Sequence, residues 1–242
     1  MPAMKLLTEH ESERYQRQLI IPEIGEQGQE KLKKSSVVVV GAGGLGSPVL
    51  MYLAAAGVGN IGIIDSDTVS LNNLQRQVIY VTTDIGRLKA EAAAERITSL
   101  NPLIKVQSSP VRLTAENVSG LLKGYDLAID CSDNYATRYL ISDATLQTGI
   151  PMVYGAVYQL MGQASVFNYM GGPSYRDLFP GDMQPENNKT SATSGIIGPL
   201  PGIIGSVQAC EAIKIITGAG DVLSGRLLQI DALSLRAEII SF

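Results

Sequence analysis

Along the chain, short apolar blocks alternate with longer stretches of mixed polarity. The blocks at 36–40 (SVVVV), 61–65 (IGIID), 104–109 (IKVQSS) and 125–130 (YDLAID) are rich in β-branched residues and bounded by Gly, Asn or Asp. That texture predicts strands. The text between them is helical. Polar helices are expected over about 9–20 and 26–34, and another runs from the glycines after Val40 to about Gly57, with Pro48 in its first turn, where a missing N–H is harmless. RLKAEAAAERITSL (87–100) has strong helix formers and ends before Asn101-Pro102. A short helix near 114–123 and one from about Tyr135 to Thr148 complete this part. Strand–helix alternation to residue 150 predicts an α/β fold, a mostly parallel sheet with helices on both faces. After 150 the texture changes. PMVYGAV (151–157) and GQASVFNYM (162–170) read as antiparallel strands, 171–195 as a polar loop without a period, 200–217 as an apolar helix, and 225–231 and 234–241 as closing strands.

Composition narrows the partners. A chain of 242 residues holds one large domain or two small ones, and no Pro- or Ser-rich stretch divides it, so a single domain over 1–242 is expected. Net charge is −4, and the one basic cluster, KLKK at 31–34, reads as a solvated helix face. Nucleic acid and anionic membranes are therefore not expected partners. The start, MPAMKLLTEHESER, has no secretory apolar segment, and the two cysteines, Cys131 and Cys210, read as reduced core thiols of a cytoplasmic protein. The most apolar stretch, 196–216, carries two prolines with Gln208, Glu211 and Lys214, which suits a buried or interfacial helix better than a membrane span.

The stretch VVVVGAGGLG (37–46) brings in chemistry. Gly41 suits a tight turn, Gly43 and Gly44 let backbone N–H groups approach phosphate oxygens, and Gly46 lets the helix lie against the strand. The helix start adds about half a positive charge, which favours an anion. Asp65 ends the next strand, where an acid accepts hydrogen bonds from a ribose. This Rossmann-like unit suits NAD and ATP equally.

The residues beyond Asp65 separate the two ligands. DSDTVSLNNLQRQ (65–77) supplies Asn73, Arg76 and Gln77, which share one short turn if the segment is helical; Lys89 opens the next helix and Arg17 lies in RYQRQL near the N-terminus. Arg76 and Lys89 sit just beyond the nucleotide-binding strands, where extra phosphates need neutralising. AIDCSDN (128–134) puts Asp130, Asp133 and Asn134 at the carboxyl edge of the fourth strand. Asp133 there is a natural Mg²⁺ ligand facing a triphosphate, or the N-cap of the next helix, or both. The only histidine is His10, in the N-terminal tail. Many hydride transfers to carbonyls need a general acid, whereas a carboxylate attacking an α-phosphate is already ionised and needs positioning and charge stabilisation.

Taken together, RYQRQ, GAGGLGS, LAAAGVGNIGIIDSDTVSLNNLQRQ, IGRLKAEAA, LNP, DCSDN and GIIGPLPGIIGSVQACEAIK resemble the E1-like adenylyltransferases of bacterial sulfur-carrier pathways, the ThiF, MoeB and HesA group. The resemblance covers nearly the whole chain. It implies an enzyme that binds ATP and Mg²⁺ and the Gly-Gly tail of a small ubiquitin-like sulfur carrier of ThiS or MoaD type, in thiamine or molybdopterin biosynthesis. The carrier's carboxylate attacks the α-phosphate, giving an acyl-adenylate and pyrophosphate, and a separate sulfur donor then acts. By motif position Gly41, Gly43, Gly44, Gly46 and Gln77 would surround the nucleotide and Asp65 hold the ribose. Asn73, Arg76 and Lys89 would bind phosphates, and Asp133, beside Asn134, would bind Mg²⁺. Such proteins are homodimers in which Arg17 would reach the neighbouring subunit's γ-phosphate. Residues 1–150 would be the nucleotide half, and 151–242 the carrier-binding and dimerisation half. Small residues at Gly202, Gly205, Ser206 and Ala209 suit either a subunit interface or packing within one subunit.

Two departures limit the resemblance. Many relatives hold zinc with two CxxC pairs; here Ser174 and Asp177 stand at the first, and no cysteines come after the last strand, so no zinc is expected and the loop 171–195 must be held otherwise. A cysteine that links covalently to the carrier is replaced by Ser191, which has no adjacent base and reads as polar filler. Adenylylation of another carboxylate, on a small molecule or a peptide, is the alternative, as is a non-catalytic nucleotide-binding subunit.

Overall fold

A computed structural model describes residues 7–181 and 195–242. One eight-stranded sheet runs through it in the order β3-β2-β1-β4-β5-β6-β7-β8. The strands are β1 (Ser36–Val40), β2 (Asn60–Ile64), β3 (Lys105–Ser109), β4 (Leu127–Asp130), β5 (Met152–Tyr158), β6 (Met161–Phe167), β7 (Arg226–Asp231) and β8 (Arg236–Ser241). β1 to β5 are parallel, and β6, β7 and β8 continue the sheet antiparallel. The expected mixed sheet is therefore observed. β5 joins its two parts, running parallel to β4 along one edge and antiparallel to β6 along the other.

Alternate residues of the central strands enter two cores. Val37, Val39, Ile61, Ile63, Leu127 and Ile129 pack under helices α4 (Gly46–Ala56), α5 (Lys89–Leu100) and α9 (Pro199–Thr217). Val38, Val40, Ala128, Met152 and Tyr154 pack under α6 (Val118–Leu121), α7 (Tyr135–Thr148) and α8 (Tyr175–Leu178). Both faces are covered, which is why these strands read as continuous apolar runs.

Several expectations change at the edges. The first predicted helix is two, α1 (Glu9–Arg14) and α2 (Gln16–Leu19), broken at Tyr15. The Tyr15 ring is buried, and its hydroxyl accepts a hydrogen bond from Asn101 at 2.9 Å. Helix α3 (Gly25–Lys34) comes next, as expected. The helix expected over 114–123 shrinks to α6. Strand β6 stops at Phe167 because Asn168 and Met170 adopt positive φ (57° and 50°) and turn the chain. Cys131 is buried, but Cys210 is exposed on α9, so only the first is a core thiol.

The predicted loop contains α8, which is fastened by its own side chains. The Ser174 backbone N–H and hydroxyl both donate to the Asp177 carboxylate, at 2.7 and 2.8 Å. Tyr175 is fully buried among Tyr139, Tyr154, Phe167 and Phe179, with ring centroids 4.7 to 5.5 Å away. The Arg176 guanidinium forks onto Asp143 with two contacts of 2.8 Å. Ser191 lies outside the described residues.

Helix α9 is long and apolar enough to cross a membrane by length and composition, yet it packs along α4, β5, β6 and α3. Its polar residues are satisfied inward. Gln208 donates to the Asp130 carbonyl at 2.7 Å, and Glu211 accepts from the Leu223 N–H at 2.8 Å while pairing with Lys214. Of its small residues, Gly205 is spoken for within the chain, since a Cβ there would sit 2.5 Å from the Leu45 carbonyl oxygen. Gly202 faces open space.

Candidate active site

Strand order reverses direction around β1, with β2 and β3 on one side and β4 on the other. Ligands of open α/β sheets bind at such a point, beyond the carboxyl ends of the strands. A cleft of about 430 Å³ lies there. Gly41, Gly43, Gly44, Asp65, Arg76, Gln77, Lys89, Asp133 and Asn134 all line it. Gly46, Asn73 and Arg17 do not.

The glycine loop has the turn and the close helix approach that its spacing predicts. Gly41 turns the chain at φ +97° against the Cys131 carbonyl. A Cβ on Gly46 would sit 2.1 Å from the Gly41 carbonyl oxygen, so only hydrogen lets α4 start this close to β1. Beyond the turn, the N–H groups of Gly43 and Gly44 find no acceptor among the described residues. They are two donors at a helix start on the cleft wall.

Asp65 is held by its own backbone neighbours. One carboxylate oxygen accepts from the Ala42 N–H at 2.7 Å and the other from the Asp67 N–H at 2.8 Å. Burial pushes its pKa up, opposed by the nearby Lys89 charge and these hydrogen bonds. Lys89 enters from the first turn of α5, nearly buried, with its ammonium 2.9 Å from the exposed Asp67 carboxylate. Only the Asp67 end of that pair lies in water, and a phosphate in the cleft can compete with it for the ammonium. Arg76 is half-buried and donates to the Asn72 carbonyl at 3.1 Å. Asn73 is spent locally: its oxygen accepts from the Ser70 N–H at 3.2 Å and its amide donates to Asn72 at 3.0 Å. Arg17 is exposed on α2, away from this cleft.

At the end of β4, the N-cap of α7 is Asn134, whose oxygen accepts from the Thr137 N–H at 2.9 Å. Asp133 is therefore not the cap. It stays exposed at the cleft mouth, and its one recorded contact is a long hydrogen bond, 3.4 Å, accepted from the Asn134 side-chain amide. Beneath it, Asp130 is fully buried and accepts from the Ser132 N–H and hydroxyl at 2.9 and 2.6 Å. Burial pushes Asp130 up to about 6, against the pull of Arg138 and Ser132.

Two further cations, Arg138 and Arg112, carry no clear mark in the sequence. Arg138 is buried on α7, 3.8 Å from Asp130, and donates to the Ser132 carbonyl at 3.3 Å. Its guanidinium lies 5.3 and 5.6 Å from the Tyr135 and Tyr154 ring centroids. Its one signal is its place a single turn after Asn134. Arg112 comes from the exposed connection after β3 and lines the cleft beside Val111 and Leu113; no local pattern marks it. The cleft thus gathers four cations (Arg76, Lys89, Arg112 and Arg138), two unpaired backbone donors and two exposed carboxylates, Asp67, paired with Lys89, and Asp133. Such a set stabilises a polyphosphate with an accompanying divalent cation.

Comparison with known proteins agrees with this geometry. The ThiF family model matches residues 15–241. The sulfur carrier protein adenylyltransferase of Thermus thermophilus is 50% identical over 231 residues, which cover 93% of this chain and 85% of that protein. The probable adenylyltransferase/sulfurtransferase MoeZ of Mycobacterium tuberculosis is 48% identical over 239 residues, covering 97% of this chain and 61% of that longer protein. The SAMP-activating enzyme E1 of Haloferax volcanii is 44% identical over 230 residues, covering 95% and 85%. Among solved structures, E. coli MccB with MccA-N7isoASN superposes with a TM-score of 0.85 at 18% identity, over all of this chain and 74% of that one. At that identity the likeness speaks for the fold alone. Since the match spans both the glycine-loop half and the antiparallel strands, the chain belongs to the ThiF family.

Proposed function

We propose that this chain is an adenylyltransferase, activating the C-terminal glycine of a small ubiquitin-like sulfur carrier of ThiS or MoaD type for thiamine or molybdopterin biosynthesis. The observation that carries the reading is the single cleft in which the glycine loop, Asp65, Arg76, Lys89 and Asp133 converge. The names of the relatives point the same way.

The carrier's carboxylate oxygen bonds to the α-phosphorus of ATP. The bond from that phosphorus to the bridging oxygen breaks, and pyrophosphate leaves with the electron pair. The nucleophile is already ionised, so no proton moves, in keeping with a cleft that no histidine lines. Gly43 and Gly44 N–H groups and the Arg76 and Lys89 charges hold the phosphates, and Asp65 orients the ribose. Among the described residues there is no cluster of three or more metal-binding side chains. One exposed carboxylate, Asp133, nonetheless fits Mg²⁺, which takes one or two protein carboxylates and completes its shell with phosphate oxygens and water. When bound there it neutralises charge on the departing pyrophosphate.

Arg17, exposed and outside its own cleft, is assigned to the partner subunit's ATP in a homodimer. Residues 151–242 are assigned to carrier docking and dimerisation, with a separate protein as sulfur donor. A cytoplasmic setting accords with ATP as substrate and an exposed free thiol at Cys210.

Pyrophosphate–ATP exchange tests this reading. Exchange should require a Gly-Gly-terminated carrier, and Asp133→Ala should lower it about a hundredfold or more while leaving the thermal midpoint in place. Exchange with a small acid or peptide alone would move the acceptor to another carboxylate. No exchange under any condition would leave a nucleotide-binding subunit without catalysis.

A further inference from the structure

Tyr80 is nearly fully buried behind the glycine loop, and none of the roles above involves it. Its hydroxyl lies 2.8 Å from the Ala42 carbonyl oxygen and 3.2 Å from the Lys89 carbonyl oxygen. It therefore touches the two segments that supply phosphate-binding groups: the loop bearing Gly43 and Gly44, and the first residue of α5. Burial and the surrounding Asp65, Asp84 and Asp67 charges push its pKa up, so the phenol stays protonated and acts as a donor.

The peptide between Ala42 and Gly43 is trans, and in a trans peptide the C=O and the N–H point in opposite directions. Tyr80 holds the Ala42 carbonyl on the buried side, which turns the Gly43 N–H the other way, to the side where Gly43 lines the cleft. The preceding Ala42 N–H is pinned to Asp65 at 2.7 Å. The two bonds fix both peptide planes flanking the Ala42 Cα, and so fix where the first loop donor aims. An unpinned peptide plane in a glycine-rich turn rotates readily.

We propose that Tyr80 is a positioning residue for nucleotide binding: its hydroxyl, through the Ala42 carbonyl, aims the Gly43 N–H at a phosphate oxygen and ties that loop to the helix start that carries Lys89. The inference rests on the nucleotide reading of the cleft. It concerns phosphate alone, because neither the loop donors nor Lys89 would touch a bare nucleoside.

The test compares two ligands on the full chain and on Tyr80→Phe, which keeps the ring and removes one oxygen. The dissociation constant for Mg-ATP should rise about tenfold, the order expected for misaligning a charge-assisted hydrogen bond. That for adenosine should stay within about twofold. An equal loss for both ligands would make Tyr80 merely structural and overturn the inference, as would unchanged affinity for both beside a lowered melting temperature. Independently of the variant, the Gly43 amide resonance of the wild-type chain should shift when inorganic pyrophosphate is titrated in. A Gly43 amide that stays put overturns the inference even if Mg-ATP binds. Failure of the wild-type chain to bind Mg-ATP at all would instead overturn the nucleotide reading, and this inference with it.

Discussion

Asp130 is a carboxylate that the fold removes from water and compensates unevenly. Ser132 gives one oxygen two hydrogen bonds, while the other makes none, with Arg138 3.8 Å away. Desolvation wins, and the pKa rises from 3.8 to about 6. Between those values the folded chain binds more protons at this site than the unfolded one. The stability that Asp130 contributes is therefore full below about pH 3.8 and is lost as pH rises through 6. The shift is worth on the order of 3 kcal/mol. In Asp130→Asn the unfolding free energy should vary with pH less steeply than wild type between 4 and 6.5 by about that amount, read from urea titrations at several pH values. Parallel curves would mean that Asp130 stays charged throughout. Activity should run the other way. Protonating Asp130 slackens its hold on the 131–134 turn, so wild-type exchange should decline below about pH 6.

At the scale of elements, α9 shows how one helix serves two surroundings. Its glycines at 202 and 205 are alike in sequence, but a side chain at 205 would strike the Leu45 backbone and Pro48, while one at 202 meets nothing. Gly205→Ala should therefore destabilise by about 2 kcal/mol, since α4 must move and the glycine loop leads into its first turn. Gly202→Ala should be neutral or stabilise by up to about 1 kcal/mol through helix propensity. Thermal unfolding of the two variants checks the contrast, and equal effects would mean that α9 does not press on α4 at Gly205. The α8 segment makes a related point. The sequence left open what holds the segment at Ser174, and a capping pair, a buried tyrosine and a forked ion pair fasten it.

At the scale of the whole molecule, the cleft and Arg17 lie apart in one chain. If Arg17 serves a partner's site, mixing inactive Arg17→Ala and Lys89→Ala chains should restore exchange to about a quarter of the wild-type rate, because half the dimers would carry one intact site of two. Either variant alone should stay inactive. No recovery after subunit exchange, checked by sedimentation, would place Arg17 in its own chain's chemistry or in none.

Much of this architecture is legible in the residues alone. The strand blocks, the glycine loop, Asp65 and the apolar helix are set by local pattern, because burial on both sheet faces and tight turns leave direct marks on residue type. Asp133 is visible too, although the pattern leaves open whether it caps a helix; that needed the Asn134–Thr137 hydrogen bond. Arg138, Arg112 and Tyr80 lie hidden for one physical reason. Each comes to the cleft or its wall only when separate segments close, and a buried cation, a loop arginine and a core tyrosine have no period of their own. Sequence alone determined which strands form and pointed to a phosphate-rich ligand at their edge. Only the tertiary structure decided which charges meet there and which backbone donors are aimed, because those depend on how separate segments close around one switch in the sheet.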